Sequence, residues 1–92
     1  MTAQAVTVKN QLGMHARAAA KFVHLATRYE AKVRVALDRR EMDGKSIMGL
    51  LLLAAARGSI ITISAEGTDE RDAVGALVAL VESGFDEDAC TA

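Results

Sequence analysis

Hydrophobic positions along the chain switch between two periods. Residues Gln4 to Lys9 alternate, with Val6 and Val8 on one face and Ala5 and Thr7 on the other, as in a half-buried strand. From Ala16 to about Arg28 the spacing becomes helical. Ala19, Phe22, Val23 and Ala26 form an inner stripe, while Arg17, Lys21, His24 and Arg28 recur on another face. Val33, Val35 and Leu37 point one way in a second strand over Val33–Leu37. Asp38-Arg39-Arg40 reads as a polar turn, Glu41-Met42 as a short return strand at a sheet edge, and Asp43-Gly44 as its close.

Ile47 to Ala56 carries no charge. Ser46 suits the N-cap of a helix there, and Gly58 its stop. A small domain has too little partner surface to bury every face of so apolar a helix. Some of Ile47, Met48, Leu51 and Leu52 are therefore expected to stay exposed, which marks a binding surface. The alternative is that the sheet and a neighbouring helix cover them. Ser59–Glu66 is β-branched, with apolar residues on both faces for part of its length, and reads as a central strand.

Gly67-Thr68-Asp69-Glu70 forms a turn and a helix start. Asp69 is the expected N-cap, and Glu70 and Asp72 suit the positive end of the helix dipole. This last helix runs to about Ser83, with Ala73, Val74, Leu77, Leu80 and Val81 inward. Gly84 ends it, Phe85 is expected to fold back on the core, and residues 86–92 read as a loose acidic tail. The order β-α-β-β-α-β-α implies an α+β domain, a four-stranded antiparallel sheet with three helices on one face. One domain spans 1–92, with an ordered core at about 4–85.

Composition narrows the function. Aromatics are 3% of the 92 residues, so Val, Ile, Leu, Met and Ala must build the core. A net charge of −1, from 11 basic and 12 acidic side chains, argues against nucleic-acid binding driven by backbone electrostatics. A single cysteine, Cys90, supports neither a disulfide framework nor a cysteine metal site. With no paired-histidine motif and no glycine-rich nucleotide loop, no metal and no cofactor are expected. No signal peptide or membrane-length apolar run is present, so the cytoplasm is the expected compartment, without membrane insertion.

Candidate chemistry lies in Asn10-Gln11-Leu12-Gly13-Met14-His15-Ala16-Arg17-Ala18-Ala19-Ala20. Gly13 permits a sharp turn, and the alanine-rich run that follows favours a helix beginning at His15. Unpaired N–H groups and a partial positive charge make a helix start receptive to anions. Arg17 adds a fork of donors suited to phosphate oxygens. An imidazole there can act as nucleophile and carry a phosphoryl group. On these residues alone, a lone histidine at a helix start is more often a plain surface or capping residue.

Gly13-Met14-His15-Ala16-Arg17, Lys45-Ser46-Ile47-Met48-Gly49-Leu50 and Ile61-Thr62-Ile63 followed by Gly67-Thr68-Asp69-Glu70 resemble the HPr family. Its members are histidine-containing phosphocarriers of the bacterial phosphotransferase system. The resemblance runs from about Val6 to Phe85 and implies an HPr-like open-faced β-sandwich. It implies that His15 accepts a phosphoryl group on Nδ1 from Enzyme I, charged by phosphoenolpyruvate, and passes it to IIA proteins or domains. Arg17 would hold the phosphate. Ser46 would be a regulatory site for a kinase/phosphorylase. The implied partner surface is Ala20, Lys21, His24, Ile47, Met48 and Leu51. The protein would then be a monomeric carrier rather than a stand-alone enzyme. Ala18 departs from the proline common in the family and restores one N–H donor beside the site. A regulatory carrier of a nitrogen-type or incomplete system, and a non-catalytic binding module, are the competing readings.

Overall fold

The computed structural model describes residues 1–86. Within them run β1 (Thr2–Thr7), α1 (Ala16–Ala26), β2 (Lys32–Leu37), β3 (Arg40–Asp43), α2 (Ile47–Leu53), β4 (Ile60–Glu66) and α3 (Glu70–Glu82), closed by a 3₁₀ turn at Gly84–Asp86. Cys90 and all of the expected tail beyond Asp86 lie outside the described residues. The sheet is antiparallel throughout, in the order β1-β4-β2-β3. β4 is thus central and β3 lies at an edge, as the hydrophobic pattern implies.

Strand alternation puts every helix on one side. Val6, Val33, Val35, Ile61, Ile63 and Ala65 are buried, while Ala5, Thr7, Lys32, Arg34 and Thr62 on the opposite face are exposed. α3 packs on β1 and β4, α2 on β3 and β2, and α1 between α2 and α3. Phe22, Leu50, Leu53, Leu77, Val81 and Phe85 fill the space between helices and sheet without exposed surface. Burial of each such side chain contributes roughly 1.5–3 kcal/mol. Phe85 reaches this core from a left-handed backbone (φ 57°) just after Gly84 (φ 69°).

Several boundaries move from their sequence positions, and each shift has a physical cause. β1 begins at Thr2 rather than Gln4, because Thr2 and Ala3 pair with Ala65 and Ser64 of β4; the Thr2 hydroxyl also donates to Glu70 Oε2 at 2.6 Å. Arg40 belongs to β3, opposite Leu37, leaving a two-residue turn with Asp38 at φ 56°. α1 stops at Ala26, and the hydroxyl of its C-cap Thr27 turns back onto the His24 carbonyl. In α3, Val78 is buried and Leu80 only partly so, the reverse of the expected stripe.

α2 ends at Leu53, not near Gly58. Ala54 takes the left-handed C-cap conformation (φ 54°, ψ 45°). The Arg40 guanidinium donates to the carbonyls of Leu52 (3.3 Å) and Leu53 (3.1 Å), which satisfies acceptors that a helix end leaves open. Beyond the cap, buried Ala55 accepts the Met14 N–H at 2.8 Å.

Asp69 stands at the N-cap position of α3 but does not cap it. Its carboxylate instead accepts the Glu30 and Ala31 N–H groups, each at 2.9 Å, tying the α1–β2 loop to α3. The Glu30 bond above all lowers its pKa. Glu70, the first helical residue, accepts the Gly67 N–H at 3.2 Å and so ties the preceding turn to the helix start. The Thr2 hydroxyl, then the Gly67 N–H and the terminal amine of Met1 at 3.1 Å, pull the Glu70 pKa down to about 2. Because the folded value lies below the ordinary 4.5, Glu70 stabilises the fold above that pH and stops doing so as pH falls through about 2. In urea titrations, the stability gap between wild type and Glu70→Gln should be widest near neutrality and close between those values. A gap independent of pH would sink this assignment.

Candidate functional site at the start of α1

The loop that presents His15 is built from two locks. The first is a turn: the Gly13 N–H donates to the Asn10 carbonyl at 3.1 Å, and the buried Asn10 side chain donates through Nδ2 to the Gly13 carbonyl at 2.7 Å. Asparagine is suited to such self-bonded turns, a signal present in the sequence beside Gly13. The second lock is the Met14 N–H bond to Ala55, which docks the loop on the segment leaving α2. Gly13 has φ +66°, and a Cβ there would stand 2.5 Å from the Ala55 carbonyl oxygen. Only glycine allows so close a backbone approach.

His15 is the N-cap residue of α1 (φ −81°, ψ −179°), and its carbonyl accepts the first intrahelical bond, from Ala19 at 2.8 Å. Its side chain makes no capping bond. The ring is half-buried, with Nδ1 3.3 Å from the Gly13 carbonyl oxygen. Arg17 follows at the second helical position, exposed to solvent. No acidic residue lies in the first turn, so the partial positive charge of the helix start is not neutralised locally.

The remaining expected site residues divide between two adjoining helices. On α1, Ala20 and His24 are exposed. Lys21 is half-buried, and its ammonium is committed to the Phe85 carbonyl at 2.7 Å. On α2, Met48 is 66% and Ile47 42% exposed, while Leu51 is only half-exposed. Leu52 (61%) extends that apolar surface. Leu12 (69%) adds a large exposed apolar side chain to the His15 loop. Sequence reasoning did not single out Leu12, because no periodicity extends into a loop.

Ser46 opens the far end of α2, roughly 10 Å of helix from Leu53. Its Oγ accepts the Gly49 N–H at 3.0 Å, the N-cap bond expected of it. Lys45 beside it donates to the Tyr29 carbonyl at 2.7 Å, another anchoring role the sequence does not announce. Among the described residues no group of His, Cys, Asp and Glu is arranged to hold a metal, and no helix is long and apolar enough to cross a membrane.

Fold and site together define a class: an open-faced β-sandwich that presents a histidine at the start of its first helix, beside an arginine and an apolar second helix. Comparison with known proteins makes the assignment particular. Residues 2–83 match the family model described as the PTS HPr component phosphorylation site. The phosphocarrier protein HPr of Pseudomonas aeruginosa is 48% identical over 88 residues, covering 95% of this chain and 98% of its own. The phosphocarrier protein NPr of Proteus mirabilis is 43% identical over 84 residues, covering 90% and 93%. The crystal structure of HPr-C-His from Thermoanaerobacter tengcongensis superposes with a TM-score of 0.91 at 41% identity, covering 95% and 98%. The chain belongs to the HPr family of phosphotransferase-system phosphocarriers.

Proposed function

We propose that this chain relays phosphoryl groups through His15, taking them from Enzyme I, itself charged by phosphoenolpyruvate, and handing them to IIA proteins or domains. The position of His15 carries the reading: an N-cap histidine whose side chain does not cap, followed two residues later by Arg17. In the transfer, the Nδ1 lone pair forms the N–P bond as the bond from phosphorus to its donor group on Enzyme I breaks. That requires the imidazole proton on Nε2, so any Nδ1–H bond to the Gly13 carbonyl is given up. Arg17 and the first-turn amides neutralise charge on the phosphoryl oxygens. An open helix start holds the group without trapping it, as a shuttle needs.

The exposed face of Ala20, His24, Ile47 and Met48, with Leu51 and Lys21 at its margins, is the docking surface in this reading. Phosphorylation of Ser46 by a kinase/phosphorylase would place a dianion beside Ile47 and Met48 and repel an acidic partner face. The protein acts as a cytoplasmic, monomeric carrier, not as a stand-alone enzyme. Sugar transport is the pathway we favour. The resemblance to the NPr of Proteus mirabilis supports a second reading, a regulatory carrier of a nitrogen-type system.

Incubation with phosphoenolpyruvate and Enzyme I, followed by intact mass measurement, tests the carrier role. The expected product bears one acid-labile phosphoryl group. No uptake from the organism's own Enzyme I would reject the role.

A further inference from the structure

We propose that Met48 is an oxidation site that controls partner docking: a peroxide converts its exposed thioether to a sulfoxide, and the polar sulfoxide weakens the contact that α2 makes with a partner. The inference rests on the carrier reading and its docking surface, and it names a regulation of that surface.

The fold sorts the methionines by access. Met14 is buried in the core, and Met42 packs against that core partly buried. Met1 is exposed, but its amine is held by Glu70 at the start of α3, which packs on β1 and β4. α2 covers β3 and β2, at the other edge of the sheet. Met48, the second residue of α2, is 66% exposed. Among the described residues it is therefore the one exposed methionine on the docking face. α2 anchors itself through buried Leu50 and Leu53, so a change at Met48 leaves the fold in place.

The surroundings make a polar group unfavourable there. Leu52 stands one helical turn beyond Met48 on the same side of α2 and is also exposed. Ile47 adds to this surface, and no charge occurs from Ile47 to Ala56. The stripe runs toward the end of α2, where Ala55 holds the His15 loop through Met14. A partner that covers the stripe takes Met48 out of water. A thioether is a weak acceptor and loses little in that step, whereas a sulfoxide oxygen loses its hydrogen bonds to water. In the oxidation, a sulfur lone pair attacks one peroxide oxygen; the S–O bond forms as the O–O bond breaks, and proton transfer releases water. Sulfur gives up the electron pair that the peroxide takes. A dithiol-dependent sulfoxide reductase reverses the change, the dithiol becoming a disulfide and the oxygen leaving as water.

The test treats the protein with hydrogen peroxide and follows each methionine by peptide mass. Met48 should gain an oxygen well before Met14 and Met42. After removal of the peroxide, phosphoryl uptake from Enzyme I is measured against the concentration of this chain. Oxidation should raise KM on the order of tenfold with kcat nearly unchanged. Methionine sulfoxide reductase should restore the original KM. Met48→Leu removes this sulfur but keeps Met1 and Cys90, so its KM, whatever the starting value, should be the same before and after peroxide. Equal KM for native and Met48-oxidised wild type would overturn this inference and leave the carrier role standing. So would a rise that persists in Met48→Leu, or oxidation of Met14 as fast as Met48. No uptake by the untreated protein would overturn the carrier reading and the docking role of Met48 with it.

Discussion

Replacing His15 with alanine should abolish phosphoryl uptake from Enzyme I while leaving the fold intact. The first half follows from chemistry. Uptake needs a nitrogen lone pair at an exposed helix start, and alanine has none. The second half follows from the surroundings. The His15 ring does not cap α1, and its contact with the Gly13 carbonyl is long at 3.3 Å. The turn itself is held by Asn10 and by the Met14 bond to Ala55, neither of which involves the ring. The stability change should therefore stay within about 1 kcal/mol, as for other partly exposed side chains.

His24 is the internal control. It lies nine residues further along α1, roughly 13 Å in axial rise, so His24→Ala should still end at one phosphoryl group. Arg17→Ala should keep uptake but slow it, since removal of one preorganised donor typically costs ~10²-fold or more. Rates from mass spectrometry, with circular dichroism for the fold, decide the case. Full uptake by His15→Ala would place the carrier elsewhere and end the present reading of the site.

How much of this was visible in sequence depends on whether a feature is local. The start of α1 at His15 and the Ser46 cap are set by residues within one turn, and both stand where the pattern puts them. The central place of β4 follows from its own apolar content. The end of α2 was not visible. Ala54-Ala55-Ala56 has strong helix propensity, yet the chain leaves the helix because Arg40 takes its last carbonyls and Ala55 is needed by Met14. Both partners are distant in sequence. The same holds for Asp69, whose carboxylate serves Glu30 and Ala31 rather than its own helix. Lys21 fits the basic row by spacing, but its ammonium is held by the Phe85 carbonyl. Charge patterns show where a side chain emanates, not what a remote backbone group does with its end.

Gly13 is where local and remote constraints meet, and Gly13→Ala should cost about 3 kcal/mol of stability. One part is conformational: φ is +66°, where a Cβ costs roughly 1–2 kcal/mol. The larger part is steric. The new Cβ would stand 2.5 Å from the Ala55 oxygen and 3.0 Å from the Ala56 Cα. Neither is the end of a flexible side chain, so the loop must lift away and stretch the 2.8 Å bond from Met14 to Ala55. At roughly 4–8 °C per kcal/mol for a domain of this size, the melting temperature should fall by some 12–24 °C. Gly58 separates the two parts, because its φ is +89° but nothing stands within 4 Å of its missing Cβ. Gly58→Ala should therefore show the conformational cost alone. If the two variants melt together, the docking of the loop on Ala55 and Ala56 is not what holds His15. If Gly13→Ala melts well below Gly58→Ala and also transfers phosphoryl more slowly when folded, the close approach of two backbones is part of the site.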